Sequence, residues 1–130
     1  MKTSQNILTT AAIFGATAVM IGAFGAHGLK GKVSAESLIS FDTAVKYQFY
    51  HVFAMMATGN FFAQMPSKQL TWAAWCFTIG IVLFSGSIYY LTTRELHGIN
   101  IPAIGVVTPI GGVFFIAGWV LLGLVFSKKQ

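Results

Sequence analysis

Three histidines, His27, His51 and His97, are the side chains of this 130-residue sequence that titrate near neutral pH without special tuning. His51 closes the stretch Tyr47-Gln48-Phe49-Tyr50-His51. On a helix Tyr47 lies one turn before it at i−4, and Gln48 at i−3. Held neutral, that imidazole would be a hydrogen-bonding node; titrating, it could carry protons. Its candidate partners are Tyr47, Tyr89, Ser85 and Ser87. Asp42, Lys46 and Tyr50 share a second face at i, i+4 and i+8, with acid before base in the favourable order. That face reads either as a local ion pair anchoring the helix at a membrane surface or as part of a binding site.

Two histidines on neighbouring helices raise haem and zinc. Axial haem ligation needs imidazoles at matching depth, and zinc needs further ligands at suitable spacing. His27 lies nearer a helix end than His51, no CxxCH motif occurs, and only His97 with Glu95 offers a third donor set. The expectation is no metal and no cofactor. No catalytic residue stands out either. Ser85-Gly86-Ser87 is not a G-x-S-x-G elbow, no carboxylate pair lies deep in an apolar run, and no glycine-rich loop leads into a lysine. The lone Cys76 sits inside an apolar run, so no disulfide framework exists.

The elements that must position these groups are apolar. Hydrophobic residues make up 55% of the chain and charged ones 8%, against about 25% charged in a soluble domain. Too few charges are present to solvate a globule, so the chain is membrane-embedded. Its formal charge of +5 is scattered, with no basic stripe interleaved by aromatics, which argues against nucleic acid. Four segments, near 7–29, 41–64, 70–91 and 102–126, have the length of about 20 apolar residues that a bilayer core requires. The first is long for a signal-peptide core and is read as an uncleaved span. Connections near 30–40, 65–69 and 92–101 are short, which favours antiparallel neighbours. The fold class expected is an all-α, single-domain, integral membrane four-helix bundle running up-down-up-down. Lys2, Lys68, Lys128 and Lys129 fall on one side and Lys30, Lys32 and Arg94 on the other, which places both termini in the cytoplasm.

Helix packing is written in small residues. Ala11, Gly15, Ala18, Gly22, Gly25 and Leu29 recur at steps of 4, 3, 4, 3 and 4, one helical face. Hydrophobicity cannot pull helices together in lipid, but close backbone approach can. Gly111 and Gly112 are the matching packing candidates in the fourth segment. Pro109 there frees a backbone carbonyl, with Thr108 and Ser85 as candidate donors, and is the one hinge candidate. Placed by depth, His27, Lys46, Tyr47, Gln48, His51, Ser85, Ser87 and Tyr89 all fall in the non-cytoplasmic half. They outline a one-sided polar vestibule above an apolar plug, and form the candidate ligand-binding cluster.

GAFGAHGLK at 22–30, YQFYH at 47–51, LFSGSIYYL at 83–91 and TPIGGVFFIAGW at 108–119 occur in this order. Together they resemble the YgdD/YwdK-type family of small inner-membrane proteins, which has small eukaryotic transmembrane relatives. The likeness covers nearly the whole chain. It implies a compact four-helix membrane protein of the inner or plasma membrane and no particular reaction. It marks His27, Tyr47, Gln48, His51, Ser85, Gly86, Ser87, Tyr89, Pro109, Gly111, Gly112 and Trp119 as signature positions without assigning them roles. Three functions fit: a structural or accessory protein packing against itself or a larger membrane complex; binding or transport of a small polar or amphipathic ligand in the vestibule, as an oligomer; and a membrane enzyme or haem carrier. The first is preferred, with membrane lipid as the constant partner.

Overall fold

The computed structural model describes residues 1–127, all of whose regular structure is helical. Lys128 and Lys129, used above for orientation, lie outside the described residues. The helices are α1 (Ser4–His27), α2 (Ala35–Gln64), α3 (Lys68–Gly80), a π-helical turn (Ile81–Ser85), α4 (Gly86–His97) and α5 (Ile104–Ser127). The chain from Lys68 to His97 is one continuous rod, so four rods make the molecule.

Helix starts follow from short hydroxyl side chains that bond orphan amides in place of water. Thr3 accepts from the Asn6 amide, Ser34 from Ser37 and Ser67 from Leu70. The Ser34 cap begins α2 at Ala35, six residues before the expected 41, and shortens the first connection to 28–34. At the far end α4 runs on to His97 rather than stopping near 91. The Thr92 and Thr93 hydroxyls bond back to the Ile88 and Tyr89 carbonyls at 2.7 and 2.6 Å, so these polar residues sit within the helix. Gly98, at φ 66, then ends it in the left-handed conformation that glycine adopts without strain.

Ser4–His27, Lys68–His97 and Ile104–Ser127 are long and apolar enough to cross a membrane by length and composition. The more polar α2 is not among these three. It is 30 residues long, about 45 Å at 1.5 Å per residue.

Contacts between α1 and α2 run in opposite directions along the two chains. The Ser4 hydroxyl donates to the Gly59 carbonyl at 2.8 Å, Gly15 faces Val52, Gly22 faces Val45 and Gly25 sits on the Phe41 ring. A Cβ at Gly25 would lie 2.5 Å from that ring, so the small residue is what allows the approach. The stripe read from the sequence is therefore occupied within the chain, by α2. Between the long rod and α5, Phe77 meets Gly118, Phe115 meets Gly80, and the Phe84 backbone meets Gly111. The central core holds Met55, Leu70, Phe77, Ile81 and Phe115. α2 and the long rod thus form the middle, with α1 flanking one and α5 the other.

Candidate functional site

Gln48 is buried on α2 and reaches two other helices. Its Nε2 donates to the Phe14 carbonyl at 2.8 Å and to the Thr17 hydroxyl at 3.0 Å, both on α1. Its Oε1 accepts from the Tyr89 hydroxyl of α4 at 2.7 Å. One amide thus ties three helices together, and its donors and acceptor are all used. Replacing it by leucine keeps the bulk but strands the Tyr89 hydroxyl. The Gln48→Leu protein is expected to lose about 2 kcal/mol of stability, read as earlier unfolding in a detergent–denaturant titration.

His51 lies one turn deeper on the same helix and is also buried. Its Nδ1 is 2.6 Å from the Tyr47 carbonyl, which can only accept, so Nδ1 carries the proton. Nε2 then accepts from the Trp119 indole N–H of α5 at 3.2 Å. The ring lies flat on Phe115, with centroids 3.4 Å apart and planes 4° from parallel. Both nitrogens of the neutral ring are committed. The partners are the Tyr47 backbone and Trp119, and none of the side chains of Tyr47, Tyr89, Ser85 or Ser87. Trp119 is the residue that the candidate cluster omitted, although it stood in the fourth signature motif.

The two serines of Ser85-Gly86-Ser87 part company. Ser85 ends the π turn, fully buried, and donates to the Ala44 carbonyl of α2 at 2.8 Å. Ser87 turns the other way: its hydroxyl donates to the Phe84 carbonyl at 2.9 Å and accepts from the Thr108 hydroxyl of α5 at 2.6 Å. Neither Thr108 nor Ser85 therefore serves the carbonyl freed by Pro109. That carbonyl belongs to Gly105, four residues back on the exposed first turn of α5, where solvent can reach it.

His27 and Lys46 stand apart from this network. His27 is exposed at the end of α1 and makes no side-chain hydrogen bond among the described residues. Gly25 packs opposite Phe41, and His51 lies ten residues further along α2, about 15 Å away along the axis. The two imidazoles thus do not share a depth. Lys46 pairs with Asp42 at 2.7 Å, both side chains well exposed. Among the described residues no group of three His, Cys, Asp or Glu is placed to hold a metal ion.

Instead of one vestibule there are separate recesses, and two of them are large. A polar one of about 540 Å³ lies between the start of α2 and the end of α4. There Glu95 accepts from the Ser34 amide at 3.0 Å and from the Ser37 hydroxyl at 3.2 Å, an acid seated at a helix N-terminus. The second, about 670 Å³, is a groove between α2 and α5 walled by Tyr47, Tyr50, His51, Pro109, Gly112 and Trp119. Depth along the chain had merged these places; the azimuth of each side chain separates them.

The family described as "Protein of unknown function (DUF423)" matches residues 21–112, which hold the Gln48, His51 and Ser85 positions. A UPF0382 membrane protein of Staphylococcus saprophyticus is 44% identical over 105 residues, covering 81% of this chain and 82% of the relative. The UPF0382 membrane protein YwdK of Bacillus subtilis is 41% identical over 107 residues, covering 81% and 82%. One from Staphylococcus haemolyticus is 40% identical over 114 residues, covering 85% and 88%. No solved structure matches. The resemblance to YwdK drawn from the four motifs is borne out, and the chain belongs to this DUF423, or UPF0382, family of membrane proteins of unknown function.

Proposed function

We propose that this chain is a structural or accessory protein of the cell's inner or plasma membrane, and that it performs no reaction of its own. In this reading all four rods cross the bilayer up-down-up-down, with both termini in the cytoplasm. α2 crosses as well because its polar side chains Gln48 and His51 turn inward and its Ala44 carbonyl accepts from Ser85, leaving Phe53 and Met56 toward lipid. A 30-residue helix also exceeds the roughly 20 residues a bilayer needs, so its polar first turns project beyond the core.

One observation carries the functional part. Among the described residues no buried side-chain nitrogen or oxygen lacks a hydrogen-bond partner. The buried polar groups are satisfied within the protein, several of them by joining helices, while α1 and α5 present Ile13, Val19, Val113 and Ile116 outward. Such a bundle is self-sufficient inside and apolar outside, which suits packing against a second copy or a larger membrane complex.

Purification from native membranes in mild detergent, with the mass of the protein particle measured, tests this. A species heavier than one chain, or a stoichiometric partner, is expected; a bare monomer would count against it. Topology is checked separately with single cysteines in a Cys76→Ala background. Positions 31 and 100 should react with a membrane-impermeant reagent from outside intact cells, and position 66 only after lysis.

A further inference from the structure

The polar recess between the start of α2 and the end of α4 gathers hydroxyls from three rods: Thr43 of α2, Thr92 of α4 and Thr108 of α5. A hydroxyl has one proton to give and lone pairs with which to accept. Each of these three has already given its proton. Thr43 donates to the Ile39 carbonyl at 3.0 Å and Thr92 to the Ile88 carbonyl at 2.7 Å. Thr108 donates to Ser87, whose own proton goes to the Phe84 carbonyl. None of the three oxygens accepts a hydrogen bond among the described residues. Thr92 is 5% exposed, so little bulk water reaches its lone pairs.

The charges point the same way. Of the chain's three acidic side chains, Asp42 pairs with Lys46, and the other two, Glu36 and Glu95, both line this recess. Against them stands Arg94, exposed and shared with a separate recess beside Ile99 and Asn100. Two carboxylates and one guanidinium leave the lining one negative charge, in a chain of net charge +5. Ile39, Ile88 and Leu91 complete the wall with hydrocarbon.

We propose that the recess binds a primary alkylammonium, its N–H groups on the Thr43, Thr92 and Thr108 oxygens and its chain against Ile88 and Leu91. A primary ammonium brings three N–H donors to oxygens whose own protons are committed. A volume of about 540 Å³ also accommodates an aliphatic body, where a bare metal ion would fill little of the space. This activity goes beyond the accessory role and does not depend on it, since the bonds of Gln48, His51 and Ser85 take no part.

The full chain, isotopically labelled at its threonine methyl groups, is titrated with butylammonium chloride in detergent micelles and followed by NMR. The Thr43, Thr92 and Thr108 resonances should move together and saturate with a dissociation constant of about 1 mM. Thr58, about 22 Å further along α2 than Thr43, should not move. Butanol, which lacks the charge, and butyltrimethylammonium, which lacks N–H donors, should each bind about tenfold more weakly. Thr43→Val with Thr92→Val removes two acceptors and keeps the side-chain shape, and each lost hydroxyl bonded only its own helix. Read on Thr108, that protein should bind butylammonium about tenfold more weakly. Ser40→Phe fills the recess from its wall, should abolish saturation, and serves if the valine protein does not fold. Saturation that survives this filling would overturn the proposal. So would shifts that grow linearly on every threonine, that sodium chloride reproduces, or that are equal for the three probes and unchanged in the valine protein.

Discussion

Gly111→Ala is expected to destabilise the protein by about 3 kcal/mol, the upper part of the range for overpacking. The new methyl would fall on the backbone nitrogen, Cα and Cβ of Phe84, in the middle of the π turn. A side chain can rotate out of the way, but a helix backbone can give only by moving the whole helix. α5 would have to lift from the rod, loosening the Phe115 ring from His51 and from Gly80. The neighbouring glycine supplies the control. A Cβ at Gly112 meets only Phe84 Cδ2 at 3.9 Å, ordinary contact, and Ala is a better helix former than Gly by about 0.8 kcal/mol. Gly112→Ala should therefore be neutral or slightly stabilising. Denaturation of the two proteins in the same detergent separates them, and equal midpoints would show that α5 does not seat on the π turn as described.

His51→Ala should cost about 4 kcal/mol, from a cavity and a broken hydrogen bond together. The lost ring leaves Phe115 without its stacked partner and the Trp119 N–H without an acceptor. His51→Phe separates the two effects. It restores a ring against Phe115 yet leaves the indole unpaired, so about 1–2 kcal/mol of the loss should remain. A double-mutant cycle with Trp119→Phe should give a coupling of about 1 kcal/mol, in the range measured for side-chain bonds inside membrane bundles. Trp119 emission provides a second readout, shifting when its N–H loses the imidazole. If His51→Ala unfolds at the wild-type midpoint with unchanged emission, the two residues are not joined in the bundle.

What was legible beforehand was position along each helix. Composition and run length located the four rods, with ends missed by up to six residues at the start of α2 and the end of α4, and the glycine stripe of α1 was visible because its spacing follows one helical face. The rotation of side chains about each axis was not visible. Ser85 and Ser87 look like one feature in the sequence. Two residues on a helix point about 200° apart, and these two bond to α2 and α5 respectively. His27 and His51 invited pairing as two imidazoles on adjacent helices, but one ends a helix and the other lies turns deeper. The partners of Gln48 are 31 to 41 residues distant in the chain, so no local pattern announces them. Trp119 was passed over for a related reason: an indole in an apolar segment reads as a belt residue, and its role as a donor emerges only where α5 meets α2. The early start of α2 and the late end of α4 came from single hydroxyl caps and back-bonding threonines, each local and each weaker than the hydropathy signal around it.

The π turn at Ile81–Ser85 also says something about the length of the long rod. Wider than an α turn, it holds one residue more than the same advance in an α-helix would need. Each residue of an α-helix turns the next by about 100°, so five residues wound as plain α would swing α4 by roughly that amount. Tyr89 would leave Gln48, and Ser87 would leave Thr108. The rod therefore carries one spare residue whose looser winding keeps α3 and α4 in phase. Removing the exposed Val82 would let the turn rewind as plain α with both flanks still aligned, whereas removing a residue from α4 itself would turn its tyrosines away from their partners. Chain length is thus negotiable at this one turn, and fixed by the side-chain partnerships on either side of it.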